Sequence, residues 1–238
     1  MASIVIKNWD NKNWLSSRQY INFFNNFILS NYRLNNFSDI LDIGCGRGKI
    51  IGDLKTKLNL KKKPIGIDLV NHRDKDKRMK FKKIDALSFF LNNEKKFDLI
   101  LIKQTLHLLD FKKIKKLLSC CKKNLNPRGV ILVFTLDPQK NQIPKFQLMK
   151  EKLNKSLLRD QKISKILFKA GFNKRVKKLA FKVMITKKDY LKMIQKKFIS
   201  TLLYMKKKEI LDGINEIDAK YKKMLRFNDN LICIIFKK

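Results

Sequence analysis

Acidic residues are scarce in this chain. Against 56 lysines and arginines stand 20 aspartates and glutamates, a formal net charge of +36 over 238 residues. Histidine and tryptophan occur twice each, proline four times and cysteine four times. The cysteines, Cys45, Cys120, Cys121 and Cys233, lack the spacing of a zinc site, and no other cluster of metal ligands stands out. Reduced thiols in a cytoplasmic protein are therefore expected. No run is long and apolar enough to span a membrane, and the segment Met1–Lys7 lacks the apolar stretch of a secretory signal. There is no internal repeat and no low-complexity block. What remains, with 44% apolar residues, suits one α/β domain of ordinary size with decorations.

The excess of positive charge has two readings. One is an anionic partner such as nucleic acid or an acidic metabolite. The other is codon bias. Lysine far outnumbers arginine, asparagine and isoleucine are also abundant, and the lysines are dispersed rather than gathered in a block. Arginine, with its bidentate fork, would be the better sign of phosphate recognition. Dispersed lysines are read here as a solvated surface.

The stretch Leu41-Asp-Ile-Gly-Cys-Gly-Arg-Gly48 reads as a buried strand turning through a glycine loop into a helix. Ile40, Leu41 and Ile43 form the strand. Ile50, Ile51, Leu54 and Leu58 recur at helical spacing beyond the loop. Glycines allow a sharp turn and the close approach of a ligand, and the helix start offers free N–H groups with a partial positive charge. A dinucleotide loop has the spacing G-x-G-x-x-G. Here the third glycine comes one residue early, and the acidic Asp42 just before the loop is a poor neighbour for a pyrophosphate but suits a ligand carrying positive charge.

At these residues the chain resembles the class I S-adenosylmethionine-dependent methyltransferases, whose first motif is an acidic residue followed by x-G-x-G-x-G. The order of later elements agrees. Lys63-Pro-Ile-Gly-Ile-Asp68 is a short strand ending in a carboxylate, two dozen residues past the loop. Met79–Ile84 is the next strand, followed by Asp85-Ala86. Phe97–Ile102 is apolar throughout, as a strand buried on both faces should be. Phe111–Leu125 is an amphipathic helix, Asn126–Gly129 a turn and Val130–Phe134 a strand. Such alternation demands a parallel sheet with right-handed crossovers, and ligands of such sheets bind at the carboxyl ends of the strands. Further on, 147–170 reads as helix, 177–185 as strand, 188–210 and 209–224 as helices, and 231–236 as a last strand. The expected fold is a Rossmann-like, seven-stranded, mostly parallel sheet with helices on both faces. An N-terminal helical lid (1–37) and a helical insertion or substrate cap (187–226) flank a cofactor-binding core (38–186), which a final strand (227–238) completes.

The resemblance implies roles. Asp42, Gly44, Cys45 and Gly46 would hold the methionine end of S-adenosylmethionine. Asp68 would take the ribose hydroxyls. Asp85 would take the adenine amine, with Ala86 giving backbone contacts; Asp85 also reads as an ordinary helix cap. Lys103 and Gln104 would line the floor beside the sulfonium. The product would be S-adenosylhomocysteine, and no metal is implied. His107 is a candidate base for the acceptor's proton, or else a packed residue among Leu106, Leu108 and Leu109. The aromatic segment from Trp9 to Asn31 supplies Trp9, Trp14 and Tyr20 as candidates for the substrate side, and the insertion supplies Tyr204. The region after the fourth strand, Lys103-Gln-Thr-Leu106, lacks the proline motif of exocyclic-amine methylation and the cysteine of pyrimidine-C5 methylation. The expectation is methyl transfer to O, N or S of a small metabolite, an anionic one among them. An rRNA or tRNA methyltransferase and a catalytically silent S-adenosylmethionine-binding protein are the alternatives. No membrane partner is expected, and the oligomeric state is open.

Overall fold

The computed structural model describes residues 14–137, 139–169 and 173–237. Seven strands form one sheet: β1 (Ile40–Ile43), β2 (Ile65–Asp68), β3 (Lys80–Lys83), β4 (Phe97–Lys103), β5 (Leu125–Leu136), β6 (Asn173–Thr186) and β7 (Met224–Lys237). Their spatial order is β3-β2-β1-β4-β5-β7-β6. Neighbours from β3 through β5 run parallel, and β7 runs antiparallel to both β5 and β6. The expected seven-stranded, mostly parallel sheet is the one observed, with β7 reversed.

Helices lie on both faces: α1 (Arg18–Asn31), α2 (Lys49–Lys57), α3 (Ala86–Leu91), α4 (Phe111–Lys123), α5 (Gln147–Phe168), α6 (Lys187–Gln195) and α7 (Lys207–Lys220). The pleat sends alternate residues of each strand to opposite faces, so the sheet feeds two cores. Ile40, Leu99, Leu101, Leu132 and Phe134 pack with α1, α2, α6 and α7. Leu41, Ile43, Ile100, Ile102, Ile131 and Val133 pack with α3, α4 and the end of α5. This two-sided burial is why β1 and β4 are apolar at nearly every position.

Several elements differ from the sequence reading. The helix expected over 188–210 ends at Gln195 and is followed by a 3-10 turn at Ser200–Leu202, and the last strand, expected over 231–236, spans Met224–Lys237. Asn126–Gly129, expected to be a turn, lies within β5 as an irregularity. Phe97 pairs with Leu125 but Leu99 with Val130, so four residues bulge where the ladder slips. The helix expected to reach Met224 stops at Lys220, because β7 begins at Met224. The aromatic N-terminal helix begins only at Arg18, after a 3-10 turn (Trp14–Ser16); Ser17 caps it by accepting from the N–H of Tyr20.

The long β6–β7 ribbon is tied to α1 through one carboxylate. Asp229, 2% exposed at a buried position of β7, accepts from the Tyr20 hydroxyl at 2.8 Å and the Trp14 indole at 3.4 Å. Burial and then Asp229 hold the Tyr20 phenol well above its ordinary titration range. Trp14 stacks on Tyr190 of α6 and meets Phe198 and Phe227 edge-on. Replacing Asp229 by alanine strands two buried donors. A loss of roughly 2–4 kcal/mol in urea unfolding is expected, with Asp229→Asn losing less because its amide oxygen still accepts.

Candidate active site

The sheet grows outward from β1 in one direction through β2 and β3, and in the other through β4 and β5. Crossovers on either side therefore leave to opposite faces and open a crevice at the carboxyl ends of β1 and β4. The glycine loop sits in that crevice. Gly44, Gly46 and Gly48 have φ of 72°, 54° and 65°, in the left-handed region. At Gly44 an added Cβ would lie 2.2 Å from Thr105 Oγ1, and at Gly48 it would lie 2.1 Å from Met79 Sδ. Gly46 differs. Its backbone needs the same conformation, yet nothing lies within 4 Å of where its Cβ would be. The loop is thus packed on both flanks and open at its centre, which is the shape needed for a ligand to approach the backbone.

Hydrogen bonds fix the loop to β2. The N–H groups of Gly44 and Cys45 both donate to the Ile67 carbonyl, at 2.9 and 3.1 Å. The Gly46 N–H donates to Asp68 Oδ2 at 2.8 Å, while Asp68 Oδ1 accepts from Val70 N–H at 2.8 Å. Beyond the loop, α2 starts at Lys49 with Gly48 as its cap and no side-chain cap bond, so its first N–H groups face outward. Cys45 packs against Gly66. Burial, then the Asp42 and Asp68 carboxylates, push its thiol far up, so it is no thiolate nucleophile.

Asp42 is 4% exposed between Gly66 of β2 and Leu101 of β4. Burial raises its pKa to about 7; Lys103 opposes that rise and Asp68 adds to it. Lys103, at the end of β4, holds its ammonium 5.1 Å from the ring centres of both Tyr20 and Phe24. Gln104 follows with φ of 51°, its N–H donating to the Phe134 carbonyl at 2.8 Å. Asp42, Asp68, the glycine loop and Lys103 are therefore neighbours. Asp85 caps α3, with Oδ1 accepting from Leu87 and Ser88 N–H. Ala86 opens that helix, beside β2, where the Asp68 carbonyl accepts from Ile84 N–H.

His107 lies in a 3-10 turn (Leu106–Leu108) beyond β4. Burial, then the Arg159 guanidinium, lower its pKa to about 4, so its imidazole is neutral at physiological pH. Trp14 and Tyr20 lie in the core already described. Tyr204 is 73% exposed after a 3-10 turn at Ser200–Leu202. Trp9 lies outside the described residues. Among the described residues no group of three or more His, Cys, Asp or Glu is placed to hold a metal ion, and no helix is long and apolar enough to cross a membrane.

Sequence reasoning missed Thr105 and Met79, which form the loop's flanks. Thr105 Oγ1 also donates to the Ile43 and Lys103 carbonyls. Neither residue has a local signature, since each acts through a glycine distant in sequence. The two kinds of glycine are separable by experiment. Gly44→Ala adds a collision to backbone strain and is expected to cost more than 2 kcal/mol, about, in stability. Gly46→Ala has strain alone, about 1 kcal/mol, and is expected to keep the fold while filling the opening. Thermal melts of the two variants check this difference.

Comparison with known proteins agrees with the geometry. Residues 40–129 match the family model described as a methyltransferase domain. No curated protein matches the chain. Among solved structures, a protein of Anabaena variabilis named as a methyltransferase from an antibiotic biosynthesis pathway is similar with 17% identity and a TM-score of 0.62, covering 90% of this chain and 96% of that one. A SAM-dependent methyltransferase from Archaeoglobus fulgidus is 20% identical with a TM-score of 0.51, covering 92% and 90%. The Haemonchus contortus phosphoethanolamine N-methyltransferase 2, in complex with phosphomonomethylethanolamine and S-adenosylhomocysteine, is 18% identical with a TM-score of 0.51; the match covers 90% of this chain and 52% of that one. Residues 40–129 are thus similar to a methyltransferase domain, and the whole sheet has the Rossmann-like fold seen in solved S-adenosylmethionine-dependent methyltransferases.

Proposed function

We propose that the protein transfers a methyl group from S-adenosylmethionine to oxygen, nitrogen or sulfur of a small metabolite. The observation that carries this reading is the opening at Gly46, bordered by two carboxylates, at the reversal of strand order. When bound, the cofactor supplies a methyl group on a positively charged sulfur. The chain's own residues do the rest. Asp42 would meet the cofactor's positive end, and the first N–H groups of α2 would meet its carboxylate. Asp68 takes the ribose hydroxyls, and Asp85 reaches the adenine amine through Oδ2, the oxygen its cap bonds leave over. Ala86 gives a backbone contact, and Gly44 and Cys45 shape the loop. Lys103 and Gln104 line the floor beside the place of the sulfonium, next to the acceptor side. Trp14 shares the Asp229 carboxylate with Tyr20, which lies beneath the Lys103 ammonium and borders that side. Residues 14–37 and the insertion 187–226, which carries Tyr204, serve as its cap. The transfer is an in-line displacement, so alignment and exclusion of water are the main tasks.

His107 is the proton acceptor in this reading. A pKa near 4 makes it a weak base that never loses capacity at neutral pH. That suits an acceptor whose own proton is fairly acidic or is released in step with transfer.

Asp42 gives the reading a pH signature. Its carboxyl, raised to about 7, carries a proton in much of the free protein at mildly acidic pH. A bound cation favours the ionised form. Affinity for S-adenosylmethionine is therefore expected to fall as pH drops through about 7 to about 6, with proton release on binding. Calorimetry in buffers of different ionisation enthalpy measures that proton, and Asp42→Asn should abolish it.

The function itself is tested with methyl-tritiated S-adenosylmethionine, offered with the small-molecule and RNA fractions of a cell extract. Label in a low-molecular-weight product is expected. Label in RNA, or binding with no transfer, would overturn the small-metabolite reading. His107→Gln is expected to lower kcat by about 10²-fold with cofactor affinity kept.

A further inference from the structure

Arg159 lies midway along α5, far in sequence from the crevice, yet it is bonded to the turn that carries His107. Its Nη1 donates to the His107 carbonyl and its Nη2 to the Leu109 carbonyl. The same guanidinium lies 5.3 Å over the ring of Phe111, the first residue of α4. One side chain therefore grips the 3-10 turn, its exit and the head of the next helix. The turn's own bonds, Leu108 N–H to Thr105 and Leu109 N–H to Leu106, run along its length. The carbonyls of His107 and Leu109 look onward, where the planar fork of arginine meets two acceptors at once; a lysine ammonium cannot match that geometry.

We propose that Arg159 is a positioning residue: its guanidinium fixes the 106–109 turn, and so the place of the His107 imidazole, and holds its own charge near the ring. The proposal rests on the reading of His107 as the proton acceptor. The charged groups on the elements around the turn include Lys155, Arg159, Asp160 and Lys162 of α5, Asp110, Lys112 and Lys113 at the head of α4, and Lys103 at the end of β4. Of these, Arg159 is the one that acts on the imidazole, adding its charge to the effect of burial. A protonated imidazole beside a fixed cation is disfavoured, so Arg159 adds to burial in keeping the free ring neutral. The low basicity that results matches the enzyme to acceptors with an acidic proton.

The chain has two histidines, His72 and His107, so an NMR titration gives two imidazole signals and His72→Asn assigns them. In Arg159→Met the His107 midpoint is expected to rise from about 4 by on the order of one pH unit. Amide exchange at 106–110 should accelerate in the same variant, while S-adenosylmethionine affinity is unchanged. Arg159→Lys keeps the charge and loses the fork; its midpoint should stay low while exchange at 106–110 still accelerates. An unmoved midpoint in a folded Arg159→Met protein would overturn the proposal. So would unchanged exchange in Arg159→Lys, which carries the test if the methionine variant does not fold. If His107→Gln transfers methyl at the wild-type rate, the proton-acceptor reading fails; the titration result is read without any acceptor and stands apart from it.

Discussion

The adjacency of β1 and β4 is the constraint on which the site depends. Because the sheet changes its direction of growth between them, the loop after β1 and the residues after β4 must share one crevice. Thr105 then closes against Gly44, with room for no side chain there. Asp42 is buried by the same arrangement, flanked by strands on both sides, and its carboxyl is lifted toward neutrality for that reason. Asp68 completes the geometry from β2 by accepting from the loop's central N–H. The glycine pattern is thus the local answer to a demand set by the whole sheet.

Several parts of this are legible in the amino-acid sequence. Between Ile40 and Phe134, β1, β2, β4 and β5 announce themselves as short apolar runs, while β3 at the sheet edge reads Lys-Phe-Lys-Lys; Asp42 lies within the first of these strands and Asp68 ends the second. Parallel strands buried on both faces leave that signal because both cores demand apolar side chains. The ribbon of β6 and β7 was harder to read. Along 224–237 the buried positions alternate at Leu225, Phe227, Asp229, Leu231 and Cys233. Asp229 breaks the apolar pattern, and arginine and asparagines fill the outer positions, so the first half of the strand looks polar. The residues that make a buried aspartate tolerable, Tyr20 and Trp14, lie 209 and 215 positions away. Interactions of that span have no local trace. Arg159 escaped notice for the same reason, since one arginine in a lysine-rich helix carries no sign of the carbonyls it will meet.

The dispersed basic charge has a structural counterpart at the sheet's edge. β6 is the outer strand and presents Arg175, Lys177, Lys178 and Lys182, all exposed. Such residues discourage an unpaired edge from recruiting another chain. This fits the reading of the lysines as a solvated surface.

The tie between α1 and β7 also dictates an order of events during synthesis. The middle of the β5-β7-β6 array is filled by its latest segment, and the first described helix waits for Asp229 to complete its own hydrogen bonds. Until residues 224–237 have emerged and threaded between β5 and β6, two long strands lack their partner and an aromatic helix lacks its anchor. The bonds of Trp14 and Tyr20 therefore close only after residues 224–237 have emerged, and until then those apolar faces lack their cover.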